Sequence, residues 1–448
     1  MKHRGARWRF AGYSLFVLIL ALALLEIGLH FFFRYAEMEQ ATPANEMPPD
    51  AATAAARYED AARRNEPISV RDGEGRRLLT PDETAGAGNN IFLLGGSAMY
   101  GVGVRHEDAF DRVLIHQLAD PANVRVFNCG RIAANSEAVA ATAASLLANY
   151  KVDLLIVYSG NNEFLHWYFP LTRVVAGVDW AKASRFLGRH SRIYRSMLFF
   201  HRLYRSDFLP WSQPPMREQW DAAPFRRDCT RMLYDRFRAF DPQSYFPIRD
   251  AYVRNFQDNL RWIVRRARTK NIPVVLTTLP FRITLPVCYM LRQPLGIRTG
   301  ERNQETLARS VRQAATAIDA KRPREALALL APVIAVEPEA PLPRYVQAQA
   351  YEALGETDQA IDAYSQARER VFGNLGSMLS LNRAIREVAA EEGAPLAEIR
   401  EAIERTSRDD GDPYVLHAFV DYCHLTPKST RTAIAETVRT MRAAGLTP

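Results

Sequence analysis

Ser97 follows Gly95 and Gly96 at the end of an apolar run, Ile91 to Leu94. A run of that length, stopped by glycines, reads as a buried parallel strand that ends in a tight turn. In an open α/β sheet, sites form at the carboxyl ends of the strands. A serine hydroxyl there, with backbone amides around it, can act as a nucleophile. Taken alone, Gly-Gly-Ser is more commonly a turn or a helix cap. Two further strand-like runs end in comparable blocks: Val124 to Phe127 leads into Asn128-Cys129-Gly130, and Leu154 to Tyr158 into Ser159-Gly160-Asn161-Asn162-Glu163. Gly130 offers a backbone N–H with no side chain in the way, Asn162 a side-chain amide, and Ser97 its own N–H. Such donors can stabilise a developing oxyanion. The last block is FVDYCHLT, Phe419 to Thr426. Asp421, three residues before His424, can accept an imidazole N–H and fix the tautomer, leaving the other ring nitrogen for the Ser97 proton. An isolated Asp-x-x-His is otherwise an ordinary surface loop.

These blocks need a scaffold that brings strand ends level. Between the first and second blocks, Phe110, Val113, Leu114 and Leu118 fall at helical spacing within Glu107 to Leu118. Ser136 reads as the cap of an Ala-rich helix reaching Tyr150. Val253 to Arg268 reads as a helix with Phe256, Leu260, Ile263 and Val264 on one face, followed by a fourth strand, Pro273 to Leu279. Thr426 and Pro427 start the last helix. Strands alternating with helices give an α/β fold, with a mostly parallel sheet covered on both faces.

The order and spacing of the four blocks resemble the SGNH (GDSL-like) hydrolase superfamily, over about residues 90–440 minus two insertions. The family's quartet of Ser, Gly, Asn and His matches Ser97 in LLGGS, Gly130 in NCG, Asn162 in GNNE and His424 in DYCH. The resemblance implies a three-layer α/β/α sandwich and chemistry on ester-like bonds. It makes Ser97 the nucleophile, His424 with Asp421 the base, and Ser97, Gly130 and Asn162 the oxyanion hole. Two departures stand outside the quartet: Gly96 where the family often has Asp, and Glu163 where the third block usually ends in Asp. They point to a divergent branch.

The resemblance divides the chain into a hydrolase domain over residues 89–300 and 374–448, interrupted twice. The first insertion, about residues 164–246, is rich in aromatic residues and Arg and leaves the sheet directly after the Asn162 block, so it is a candidate lid or acyl-binding wall. A basic helix on the membrane surface, or a helix packed on the domain, fits its pattern too. The second insertion, residues 301–373, resembles about two tetratricopeptide units. Ala326 in PREAL and Ala360 in TDQAI occupy matching places at the tetratricopeptide period of 34 residues. Such units bury their faces only by stacking, so two of them need the hydrolase domain or a partner to cover an open face.

At the amino end, Lys2, Arg4, Arg7 and Arg9 form a basic end, residues 1–9, ahead of an apolar segment over residues 10–33. That length is enough to cross a bilayer, and the charge order puts the amino terminus in the cytoplasm and the body outside it, in the periplasm or extracellular space of a bacterial host. A cleaved signal peptide, with Ala21 and Ala23 as its cleavage signal, is the rival. Residues 34–88, poor in large apolar side chains, read as a spacer, with a short β-like piece at Ile68 to Val70 as a candidate first part of the domain.

The net charge of +8 over 448 residues is spread along the chain without a basic tract or recognition motif, which argues against nucleic acid. Four cysteines without CxxC spacing, no GK[ST] loop, no complete dinucleotide fingerprint and no ligand-spaced His/Asp cluster give no expectation of a metal or cofactor. The expected protein is a membrane-anchored serine esterase, deacetylase or O-acyltransferase, working on a glycan or lipid ester, with a protein partner at the repeat segment. Its rival is an inactive SGNH-fold scaffold that binds a partner through those repeats.

Overall fold

The computed structural model describes Ala21 and residues 51–64, 67–72, 75–86, 88–118, 123–163, 245–284, 301–370, 378–421 and 423–446. All but Ala21 lie in one compact unit, Glu46–Leu165 with Pro215–Pro448. The expected anchor, apart from Ala21, and residues 164–244 of the aromatic insertion lie outside the described residues. Among the described residues no helix is long and apolar enough to cross a membrane.

The fold is mixed α/β around a seven-stranded sheet. In chain order its elements begin with α1 (Ala51–Arg64), β1 (Ile68–Asp72), β2 (Gly75–Leu79), β3 (Asn89–Gly95), α2 (Ser97–Tyr100), α3 (Phe110–Gln117) and β4 (Val124–Asn128). They continue with α4 (Ser136–Asn149), β5 (Leu154–Tyr158), α5 (Tyr245–Arg268) and β6 (Val274–Thr277). Four helices of the repeat segment follow: α6 (Glu301–Asp319), α7 (Pro323–Val336), α8 (Pro341–Leu354) and α9 (Thr357–Arg370). The chain closes with α10 (Leu379–Glu392), β7 (Leu396–Ala397), α11 (Ile399–Asp409) and α12 (Pro427–Ala443).

The strand order is β2-β1-β4-β3-β5-β6-β7, parallel from β4 to β7, with the β1/β2 hairpin antiparallel at one edge. Register decides where the blocks land. Leu93 stands opposite Asn128, Gly95 opposite Tyr158 and Val157 opposite Leu276, so the strands ahead of the first three blocks finish at one edge of the sheet. Every residue of β3 from Asn90 on, and all of β5, is buried. The continuous apolar runs are what a strand covered on both faces requires. Helices α1, α4, α5 and α10 pack against one another, and α3, α11 and α12 form a second group, with α12 against β6 and β7.

Two sequence expectations need correction. The first concerns the spacer: residues 51–79 are part of the domain. Ala54, Tyr58 and Ala62 recur along one face of α1 and are buried, and the Tyr58 hydroxyl donates to Asn259 Oδ1 at 2.5 Å. The small alanines hide this face from a search for large apolar residues, because close helix packing needs little side chain there. The hairpin that follows extends the sheet through Arg71 opposite Asn128. The second concerns the cap of α4, which is Asn135, whose side chain accepts from the Ala138 N–H; Ser136 is the first helical residue.

The repeat segment forms two helix pairs, α6/α7 and α8/α9. Ala326 and Ala360, the matched alanines, are fully buried in α7 and α9. The chain just beyond β6 covers one face of the second pair: Phe281 and Ile283 join Ala348, Ala360, Ala363 and Tyr364 in one apolar cluster. The Arg368 and Arg400 guanidinium groups lie over the Phe281 ring at 5.1 and 4.9 Å from its centroid. Asn382 fixes the same segment by accepting from Leu279 N–H at 2.7 Å and donating to its carbonyl at 2.9 Å.

If α1 belongs to the domain, Tyr58→Ala removes a buried aromatic ring and leaves the Asn259 carbonyl oxygen unpaired. Unfolding free energy, measured by denaturant titration, is expected to fall by about 3–5 kcal/mol. A change under about 0.5 kcal/mol, the scale of a surface substitution, would return α1 to the spacer.

Candidate active site

Ser97 is the first residue of α2, with Gly96 as its cap, so its N–H has no carbonyl four residues back to bond. A Cβ on Gly96 would stand 2.5 Å from Asn162 Nδ2, which is closer than side chains approach. Any side chain at this position would displace that amide; Gly96 lets the Asn162 amide lie against the turn that carries Ser97. The other end of α2 is held by the Arg71 guanidinium, which donates to the Tyr100 carbonyl at 2.6 Å from the β1/β2 hairpin.

The last block folds on its own hydrogen bonds. Val420 N–H donates to the His424 carbonyl at 2.8 Å and Thr426 N–H to the Ala418 carbonyl at 2.9 Å, closing a tight loop before α12. Thr426 caps α12 with Pro427 as its first residue. Inside the loop Asp421 divides its two oxygens. Oδ1 accepts the Cys423 and His424 N–H groups at 2.9 and 2.8 Å, and Oδ2 lies 2.5 Å from His424 Nδ1. A carboxylate only accepts, so Nδ1 carries the proton in that bond.

The other ring nitrogen, His424 Nε2, is 2.8 Å from Ser97 Oγ. The structure thus brings Ser97, His424 and Asp421 into one hydrogen-bonded line. All three are inside: Ser97 is 4% exposed, Asp421 4% and His424 0%. Burial disfavours the imidazolium, but the Cys423 sulfur, 3.9 Å from Nδ1, and the Asp421 carboxylate hold His424 well above the ordinary value of 6.5. The line has the geometry of a general base with its orienting carboxylate.

The expected oxyanion donors divide. Asn162 is buried and gives one amide hydrogen to the Ala134 carbonyl at 2.9 Å, and the same nitrogen, with a second hydrogen to give, lies against Gly96, the residue before Ser97. Gly130 sits on the same edge, because Cys129 and Arg131 N–H groups bond the Leu93 and Gly95 carbonyls. Its own N–H, however, is directed to Asn128 Oδ1 at 2.9 Å. The donor expected for the oxyanion hole is thus engaged within the protein. The Asn128 side chain is fixed in this pose, since its amide nitrogen bonds the Met99 carbonyl and Asp111 Oδ1. Glycine is required at 130 for a different reason: a Cβ there would meet the Tyr100 backbone nitrogen at 2.4 Å.

Among the described residues, one group has the composition of a metal site, Asp421 with Cys423 and His424. The 2.5 Å between Asp421 Oδ2 and His424 Nδ1 is too short for an ion between them, because two metal bonds of about 2.0–2.2 Å in tetrahedral geometry need a wider pair. Cys129 and Cys423 are both buried, and neither is in a disulfide. Residues that sequence reasoning passed over also shape the site. Glu163 is fully buried, with Oε1 accepting the Ser136 N–H at 2.7 Å and Oε2 accepting its hydroxyl at 2.8 Å. The only sequence signal was its difference from the family's Asp.

A tetratricopeptide repeat family matches residues 317–378 of the chain. No curated protein matches the chain. Solved structures similar to it include a lipolytic protein of the G-D-S-L family from Veillonella parvula DSM 2008, with 8% identity and a TM-score of 0.32 over 78% of this chain and 96% of that one. TesA has 13% identity and a TM-score of 0.32, over 79% of this chain and 99% of its own. An acetylxylan esterase, Axe2 from Geobacillus stearothermophilus, has 10% identity and a TM-score of 0.34, over 80% of this chain and 96% of its own. Likeness at that level assigns neither activity nor substrate to this chain.

A base must be neutral to take the Ser97 proton. With His424 raised, kcat/KM for ester hydrolysis is expected to rise with pH along an ionisation above 6.5. Asp421→Asn removes the carboxylate that holds the tautomer, and is expected to lower kcat by about 10⁴-fold. An acid limb at or below 6.5, or full activity in Asp421→Asn, would contradict this assignment of the base.

Proposed function

We propose that the protein is a serine hydrolase of the SGNH type, with a three-layer α/β/α domain, acting on ester bonds. The observation that carries this reading is the line from Ser97 Oγ through His424 to Asp421, closed at 2.8 and 2.5 Å. Ser97 Oγ attacks the ester carbonyl while His424 Nε2 takes its proton. The Ser97 N–H and the second Asn162 amide hydrogen receive the oxyanion. Collapse of the tetrahedral intermediate breaks the bond to the leaving alkoxide, which takes the proton from Nε2. Water, or a second alcohol, then attacks the acyl-serine with His424 again as base, and the acid or the new ester departs.

The acyl group is that of an O-acylated glycan or a lipid ester, and the chemistry runs as an esterase, a deacetylase or an O-acyltransferase according to the acceptor that reaches the acyl-enzyme. In this reading residues 10–33 anchor the chain and the hydrolase domain stands outside the cytoplasm, where such esters are found in a bacterial envelope. The repeat segment, with one face packed on the domain, keeps the rest of its surface for a protein partner. One observation favours a second reading, an inactive scaffold: the Gly130 N–H is already engaged by Asn128.

A membrane-impermeant fluorophosphonate separates these readings. Applied to bacterial spheroplasts carrying the full chain, it is expected to label Ser97, with labelling lost in Ser97→Ala. Labelling that appears only after lysis would reverse the topology. A folded protein that takes no label, before or after lysis, would leave the scaffold.

A further inference from the structure

The buried carboxylate of Glu163 has no part in the proton transfers above, yet it adjoins Asn162 and ends a directed chain of hydrogen bonds. The Tyr58 hydroxyl in α1 donates to Asn259 Oδ1 at 2.5 Å, and Asn259 Nδ2 in α5 donates to Ser136 Oγ at 2.9 Å. The Ser136 hydroxyl donates to Glu163 Oε2, and the Ser136 N–H to Oε1. An amide nitrogen can only donate, so the Ser136 hydroxyl must pass its own hydrogen onward. A carboxyl at Glu163 can accept at both oxygens, as this direction requires; an amide would set its NH2 against one of the Ser136 hydrogens. The carboxylate also lies at the first turn of α4, where the free amides favour negative charge.

This chain bears on the oxyanion donor through the loop ahead of α4. Ala134 accepts the Asn162 amide, and Ala133 beside it is held at φ 61°, a left-handed conformation unfavourable for a non-glycine residue. Such a conformation persists only when its surroundings impose it. Two bonds hold the residues that follow it: Asn162 to Ala134, and Ser136 to Glu163. We propose that Glu163 is a positioning residue, which clamps the loop at Ala134 through Ser136 and so orients the second Asn162 amide hydrogen toward the oxyanion. The proposal rests on the serine-hydrolase reading of Ser97 and Asn162.

Burial pushes the Glu163 carboxyl up to about 7, against the Ser136 bonds that favour its anion. The titratable groups that act on it from the packed elements are Tyr58 of α1, Glu137 of α4 and Tyr252 of α5; Arg57 and Asp258 act on Tyr58 in turn. Arg57 pairs with Glu137 at 2.8 Å and so moderates the neighbouring negative charge.

A double-mutant cycle on the full chain tests this, with p-nitrophenyl acetate as the probe ester. Asn162→Ala is expected to lower kcat by about 10²–10³-fold, the cost of one oxyanion donor. Glu163→Gln is expected to lower kcat by about tenfold or more with KM unchanged, and by less than about twofold when Asn162 is already Ala, since residues acting through one another are not additive. Losses that multiply, or a Glu163→Gln enzyme with unaltered kcat, would overturn the proposal. Should Glu163→Gln fold poorly, Ser136→Ala breaks the same link at the hydroxyl and is read by the same cycle. If the wild-type chain neither hydrolyses the ester nor takes a fluorophosphonate, the hydrolase reading has failed by itself. The clamp is then read from the Asn162 side-chain amide protons in asparagine-labelled protein. Hydrogen exchange faster in Glu163→Gln supports the clamp, and unchanged exchange overturns it.

Discussion

The contact between Ser97 Oγ and His424 Nε2 joins residues 327 apart in sequence. Closing a loop of that length costs about 5 kcal/mol in chain entropy, beyond a constant term. A hydrogen bond returns a net of about 0.5–1.5 kcal/mol. The contact therefore cannot assemble the site; it has to be delivered by the scaffold. The delivery falls to α12, whose Ala433, Ile434, Val438 and Met441 are buried against its neighbours, each large apolar side chain contributing about 1.5–3 kcal/mol. The tight loop from Phe419 to Leu425, closed by its own bridge, then leaves His424 little freedom. Ser97 is fixed from the other side by the register of β3 between β4 and β5.

The same constraint explains why small residues recur where the blocks meet. Gly96 and Gly130 are not needed for unusual backbone angles. Each lies where a Cβ would collide, with the Asn162 amide in one case and the Tyr100 backbone in the other. Parallel strand ends crowd several turns into one space, and the glycines are where two turns touch. Two buried amides tie the turns together: Asn128 serves Gly130, Met99 and Asp111, while Asn162 serves Ala134. Satisfaction of that kind makes a site rigid and specifies one arrangement.

Much of this was legible in the sequence, for identifiable reasons. The β3, β4 and β5 runs are short, apolar and stopped by Gly or Asn, so period and punctuation both marked them. Asp421 and His424 were legible because Thr426 and Pro427 announce α12 right after them. The repeat pairs were legible from a period that places Ala326 and Ala360 alike. What stayed hidden has physical causes too. Helix α1 buries alanines and a single tyrosine, so its hydrophobic signal is weak although its packing is close. The engagement of the Gly130 N–H depends on the rotamer of Asn128, which depends in turn on Met99 and Asp111, and no local pattern encodes that. Glu163 stood out in the sequence only as a departure from Asp; its meaning appears only with Ser136, Asn259 and Tyr58, drawn from three separate helices.

The central claim is that four distant blocks form a single acyl-transfer centre. A crystal structure of the covalent phosphonate adduct tests it most directly. The account predicts phosphorus bonded to Ser97 Oγ, the phosphoryl oxygen within hydrogen-bond reach of the Ser97 N–H and Asn162 Nδ2, and His424 Nε2 facing the leaving-group side. An adduct on another residue, or a phosphoryl oxygen turned away from Asn162 with His424 withdrawn from Ser97, would contradict it.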